Sequence, residues 1–286
     1  MLSKYCSILL VVLLFSFKCF ADESLIDIKG GGSGLLMFRD FNQKYGGWSD
    51  VRFSSSGSGF RLYSVPVKML PVESGVVASS DADRVSPDKK YLMVQRTDAG
   101  EVVDEQGNST ISAQAYCDMV SLDTGCVKNV GSALQCDGTW AGGGWKVSTG
   151  EVFDFLKEGI SPSQLVSKVS SLSPDESRSN SLRDWLFMGA ESYMACFPSR
   201  ENISQLNDIG YYLDQGGEHV FAMQFYNKLL SVAPGRIPLK LNIADSLWAM
   251  GKLSEAKSYY VEYQKMMTQK GDEKKIPKRV ELRVKG

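Results

Sequence analysis

Hydrophobic and polar positions change period once along this chain, near residue 150. Before that point, short apolar runs alternate with clusters of Gly, Ser, Asp and Asn. Residues 60–67 (FRLYSVPV), 91–96 (YLMVQR), 115–122 (AYCDMVSL) and 144–147 (GWKV) have the length and punctuation of β-strands. Pro66 lacks the amide a central strand needs, so the first of these runs predicts an edge. The pattern predicts a small antiparallel β domain over residues 22–150. Residues 151–158 and 163–172 read as helical, with Pro162 opening the second and Pro174 following its end. The serine content of 161–181 also suits a mobile connection. Residues 183–197 (RDWLFMGAESYMACF) form a strongly apolar helical run stopped by Pro198, and 151–205 as a whole reads as a helical connector.

Beyond residue 206 the chain matches itself when shifted by 34 residues. Ile209 falls on Ile243, Leu213 on Leu247, Gly217 on Gly251, Ala222 on Ala256, Phe225 on Tyr259 and Tyr226 on Tyr260. Leu206, Ile209, Gly210 and Leu213 lie at i, i+3, i+4 and i+7, one face of a helix. Small Gly210 and Ala244 permit close helix approach, and Gly217 and Gly251 suit helix-ending turns. Ala222 and Ala256 are small where helices cross, while Tyr226 and Tyr260 fill the space between units. In register and residue type, 206–268 resembles two tetratricopeptide repeats. The early Trp of that motif is replaced by Leu206 and Lys240, and Pro234 has Thr268 as its counterpart.

With the strand pattern of 22–150, the resemblance implies an α+β protein in which an antiparallel β domain precedes an all-α array of helical hairpins. Two such units need neighbours to cover their apolar ends. The 183–197 helix would serve upstream. Downstream, 269–286 would form a basic capping helix with Pro277 in its first turn. Repeats of this family bind proteins or peptides in the groove lined by the first helix of each pair. The resemblance places Asn207, Tyr211, Asp214, Asp245 and Trp248 on that groove, Tyr211 and Trp248 as large contact residues.

The N-terminus sets the expected compartment. Lys4, the apolar run 7–17 and Cys19-Phe20-Ala21 match a secretory signal peptide over residues 1–21, cut after Ala21. The run is too short to span a membrane, and Lys18 before Cys19 does not suit lipidation. The mature chain is expected to be periplasmic or secreted, with no membrane span. Loss of Lys4 and Lys18 takes the formal charge from −1 to −3, a balance that does not suit nucleic acid. Cys117, Cys126, Cys136 and Cys196 remain, an even number that reads as two disulfides in an exported protein. A 117–126 pair is disfavoured, because Cys126 would face about Ser121 across the turn at Asp123-Thr124-Gly125. Cys126–Cys136 with Cys117–Cys196 is preferred among pairings that stay open.

Little in the composition supports catalysis. The mature chain holds a single histidine, His219, in the expected turn between repeat helices, where solvated surface is its ordinary role. The cysteines lack metal-ligand spacing, and no cofactor is implied. The Gly30–34 run lacks the Lys-Ser or Lys-Thr of a phosphate loop and reads as a linker. Asp98, Glu101, Asp104 and Glu105 could supply paired carboxylates, but their Gly-containing surroundings suit a solvated hairpin loop. Trp140 and Trp145 flank a glycine turn and would suit either sugar stacking or a core. Residues 86–94 (SPDKKYLMV) resemble the turn and strand of a propeller blade. Only one copy occurs, so an ordinary hairpin is the simpler reading.

The expected function is therefore binding, not catalysis. An exported β domain tied by disulfides, followed by a repeat pair, resembles immunity-type proteins that neutralise a toxin. The alternatives are a carbohydrate-binding or carbohydrate-active protein using the β domain, and an accessory of envelope assembly or secretion. The partner's identity and the oligomeric state are not set by the sequence.

Overall fold

A computed structural model describes residues 25–43, 46–66, 73–77, 83–174 and 176–285. The signal-peptide expectation, residues 1–21, lies outside them. Strands β1 (Ile26–Lys29), β2 (Leu35–Asn42), β3 (Gly47–Ser55), β4 (Ser58–Arg61), β5 (Glu73–Val77), β6 (Tyr91–Val103), β7 (Ser109–Ser121) and β8 (Val127–Ser132) form one antiparallel sheet. Its order is β1-β2-β3-β5-β6-β7-β8, and β4 pairs with the second half of β3. A short 3-10 helix (Ala133–Cys136) leads to β9 (Gly138–Ala141), β10 (Gly144–Val147) and β11 (Val152–Phe153), a second, smaller sheet. The helices are α1 (Pro162–Ser170), α2 (Glu176–Trp185), α3 (Ala190–Cys196), α4 (Ile203–Gln215), α5 (His219–Val232), α6 (Ile237–Ala249), α7 (Leu253–Gln269) and α8 (Lys278–Lys285). The fold is α+β, an antiparallel sheet region followed by helices.

Alternation sets the faces of the large sheet. Leu36 and Phe38 on β2 and Val51 and Phe53 on β3 are buried on one side, two residues apart as a pleat requires. With Leu92, Val94 and Val120 they join the buried side chains of α1 to α8 in a continuous apolar cluster. The opposite side of β6 and β7 presents Met93, Cys117 and Met119, which the smaller sheet covers with Trp145, Val147 and nearby Phe155. Ser56 (φ 51°) and Gly57 (φ 83°) make the two-residue turn between β3 and β4. The 86–94 stretch is a hairpin. Val85 bridges Leu92, and the Ser86 hydroxyl accepts from the amides of Lys90 and Tyr91.

Several sequence expectations are corrected. Residues 151–158 are not helical: Val152 and Phe153 pair with Lys146 and Trp145 as β11. The 183–197 run is broken, because Gly189 (φ 87°) separates α2 from α3 and bridges Ser64. Nor is 161–181 a loose connection. It folds into α1, capped reciprocally by Ser161 and Gln164, and into α2, whose buried Arg178 donates to the carbonyls of Ser170 and Leu172. In the run 60–67 the strand ends at Arg61, and residue 67 lies outside the described residues. The Gly30–34 segment is a packed turn, with the Gly31 amide bonded to Lys89 O. A methyl group on Gly34 would stand only 1.7 Å from Leu122 O.

The acidic stretch after Asp98 is a ladder instead of a loop. β6 and β7 pair without interruption from Tyr91↔Ser121 to Val103↔Ser109. β5 reaches only Ala99 on one side and β8 only Tyr116 on the other. Beyond those limits, among the described residues, the hairpin continues as a two-stranded ribbon with Val103 and Ile111 exposed.

The disulfides are Cys117–Cys136 and Cys126–Cys196, neither of them the preferred pairs. Cys136 sits in the 3-10 helix under β7, beside Cys117. Cys126 immediately precedes β8, where α3 packs and presents Cys196. Cys126–Cys196 thus ties the sheet region to the helices covalently. Next to it, the Ser192 hydroxyl donates to Gly125 O (2.8 Å) and accepts from the Val127 amide (3.1 Å).

Candidate functional site

The helices from α4 onward repeat their own geometry. α6 begins 34 residues after α4, and α7 begins 34 residues after α5. α4 packs on α5, α6 on α7, and α5 on α6. Both α4 and α6 end on a glycine with positive φ, Gly217 (77°) and Gly251 (76°). In each case the next residue's amide reaches back to the last turn, Glu218 to Leu213 O and Lys252 to Leu247 O. This is a helix stop that a side chain with a Cβ would strain. Ala222, Ala244 and Ala256 are fully buried, as are Tyr226 and Tyr260.

Polar side chains link α4, α6 and α8 in a row. Asn207 accepts from the Asn242 amide group (3.2 Å), and Asp214 accepts from the Ser246 hydroxyl (2.6 Å). Asp214 also bonds His219 Nδ1 at 2.6 Å, so His219 is a half-buried partner at the start of α5 and not a solvated turn residue. Asp245 is the busiest acceptor. It receives the Tyr260 hydroxyl (2.6 Å), Arg279 through Nε and Nη2, and Arg283 (2.8 Å). The Arg283 guanidinium also lies 4.8 Å from the Trp248 ring centre. α8 thus packs on α7, and two of its basic residues engage Asp245 and Trp248 of α6.

The five sequence-selected residues divide accordingly. Tyr211 is 43% exposed and Trp248 half-buried, while Asn207 is buried between α4 and α6. Asp214 and Asp245 are half-buried and bonded within the protein. Asp208, which the sequence reading passed over, stands one residue along α4 from Asn207. Burial raises its pKa, against the opposing effects of Asn207 and Arg236. Tyr226 differs from its counterpart Tyr260. Its hydroxyl is buried with no hydrogen-bond partner among the described residues, because Tyr211 stands where Asp245 stands one unit later. Its pKa lies well above the phenol range through burial and then the charges of Asp214 and Asp245.

Trp140, Trp145, Asp98 and Asp104 of the β domain are engaged within the protein. Trp145 is buried and donates to Gln135 O (2.8 Å), with Trp140 edge-on to it at 5.1 Å. Asp98 pairs with Arg96, and Asp104 accepts from Asn108 to hold the ribbon's turn. Among the described residues, no group of three or more His, Cys, Asp or Glu could hold a metal ion, and no helix is long and apolar enough to cross a membrane. No protein-family model, curated protein or solved structure gives a significant match to the chain.

Proposed function

We propose that the chain is an exported protein-binding module that engages its partner through tetratricopeptide-like helical hairpins. The observation that carries this reading is the repeated helix geometry: equal 34-residue spacing of both helices, equal glycine stops, and equal burial of Ala222 with Ala256 and of Tyr226 with Tyr260. Such stacking leaves the first helices side by side on one surface. Here that surface carries exposed Tyr211 and Gln215 and half-buried Asp208 on α4, then half-buried Trp248 on α6. Arg279 and Arg283 dock on the acidic, aromatic end of the row, which favours a partner segment that brings basic and apolar groups to the open end near Tyr211. A toxin neutralised outside the cytoplasm is the preferred partner class, and an envelope-assembly subunit the second. Export rests on the N-terminal sequence and fits the two disulfides.

The test is capture from host envelope extract by the mature chain, compared with Tyr211→Ala and Asp208→Ala. One protein bound at equal stoichiometry and lost in both variants supports a dedicated neutraliser. Several envelope proteins lost together support an assembly accessory. Capture that ignores both variants and follows the β domain alone would overturn the reading.

A further inference from the structure

Where β7 extends past the end of β8, one of its backbone edges is open. Leu122, just beyond β7, sends its amide to Lys90 O on the β6 side, and Ser121 sends its amide to Cys126 O on the other side. Backbone groups alternate between the two sides of an antiparallel strand. Even-numbered residues of β7 therefore bond β6, and odd-numbered ones face β8. The Cys117 carbonyl obeys this by accepting from the Asn129 side chain of β8 (3.2 Å). β8 pairs no farther than Tyr116↔Ser132. Ile111, Ala113 and Ala115 thus turn their backbone groups to an edge that no described strand pairs. The Ala115 carbonyl receives a long bond from the Gln114 side chain (3.5 Å).

Strand edges are ordinarily kept apart by lysine, proline, bulges or a covering segment. Residues 109–115 (STISAQA) contain no proline and no charged residue. Their pairing with β6 is uninterrupted, so no bulge turns the edge away. Ile111, Ala113 and Ala115 share one side of the ribbon with Val103, as the pleat requires. Ile111 is 64% and Val103 62% exposed. The β6 strand and its turn carry Glu101, Asp104 and Glu105 instead, and like charges set opposite each other weaken a strand pair. A partner selected by charge would therefore use the β6 side. The β7 edge offers only backbone groups and small or apolar side chains, which a second copy matches by symmetry. A copy also fits sterically. With Ile111 opposite Ile111 on a two-fold axis, the copy's turn at Gly107 comes level with Ala115, just short of Tyr116, where Ser132 of β8 pairs.

We propose that the chain self-associates through this edge, the β7 strands of two copies pairing antiparallel about Ile111 so that two sheets become one. Sedimentation velocity of the mature chain tests this. The expected result is a reversible dimer with Kd on the order of 100 μM or tighter. Ala113→Pro removes an amide from the open edge and none from the β6 ladder, and should weaken the dimer by about tenfold or more. Ile111→Lys and Ile111→Glu should each weaken it likewise by setting like charges face to face. An equal mixture of those two should form a heterodimer, a rescue that damage to the fold would not give. Circular dichroism checks that each variant folds. A chain that stays monomeric at about 500 μM, a dimer that none of these variants weakens, or a strand of a different protein held at this edge by a monomeric chain overturns the proposal.

Discussion

A methyl group placed on Gly210 would stand 2.5 Å from a ring carbon of Tyr226, a residue with no freedom to withdraw because it is fully buried. Gly210→Ala is therefore expected to cost about 1–3 kcal/mol, the range of overpacked cores, read as a lower denaturation midpoint at unchanged slope. The need for a small residue there was legible, because the 34-residue register marks the position. The same need at Gly34 was not, since the opposing group is the backbone of Leu122, a contact between distant segments that no local pattern announces. Asp184 gives a prediction of opposite sign. Its folded pKa lies above the ordinary 3.8, so its ionisation opposes folding. That penalty is absent below the ordinary value and grows as pH rises through the folded one. Asp184→Asn should thus be slightly more stable than the parent at pH 7, by no more than about 0.5 kcal/mol for so exposed a group, with the gain vanishing below pH 3.8. Thermal melts across that range measure it. The residues around Asp184 come from the segment after β4, from β6, β7 and β8, and from α2, and no spacing in the sequence joins them.

At the scale of elements, the helices that repeat were readable and those that do not were partly misread. α4 to α7 keep 3.6-residue periods between glycine stops, so their positions followed from the residues alone. The 183–197 run has the same apolar character, yet its break at Gly189 exists to let the backbone bridge Ser64, a tertiary demand. Residues 151–158 were too short to separate a period of two from one of 3.6. α8 offers a direct test of element docking. Arg279 and Arg283 hold it to Asp245 and Trp248. Replacing both by Ala should release the helix, cost roughly 1.5–3 kcal/mol for the charged hydrogen bonds lost, and open residues 270–277 to protease. Limited proteolysis followed by mass spectrometry reads the outcome. A cut pattern equal to that of the parent would show that Val280, buried against α7, suffices alone.

Across the whole molecule, sheet and helices share one apolar cluster and one covalent link. Four cysteines beyond residue 21, in a chain expected to be exported, announced two bridges. Their pairing depended on α3 crossing the end of β8, which sequence spacing does not encode. Cys126–Cys196 closes a separation of 70 residues. Removing it by a Cys126→Ser, Cys196→Ser double variant should lower stability by about 4 kcal/mol, measured by urea unfolding beside the parent. The loss should come with little change in native circular dichroism, because Ser192 and the shared core still join the two parts.

That bridge also hides damage. The exposed turn between α1 and α2, around Ser171 to Pro174, lies inside the closed loop. A scission there would leave both fragments fastened together, so the molecule would run as a whole chain on a gel without thiol and fall into two pieces only once reductant is added.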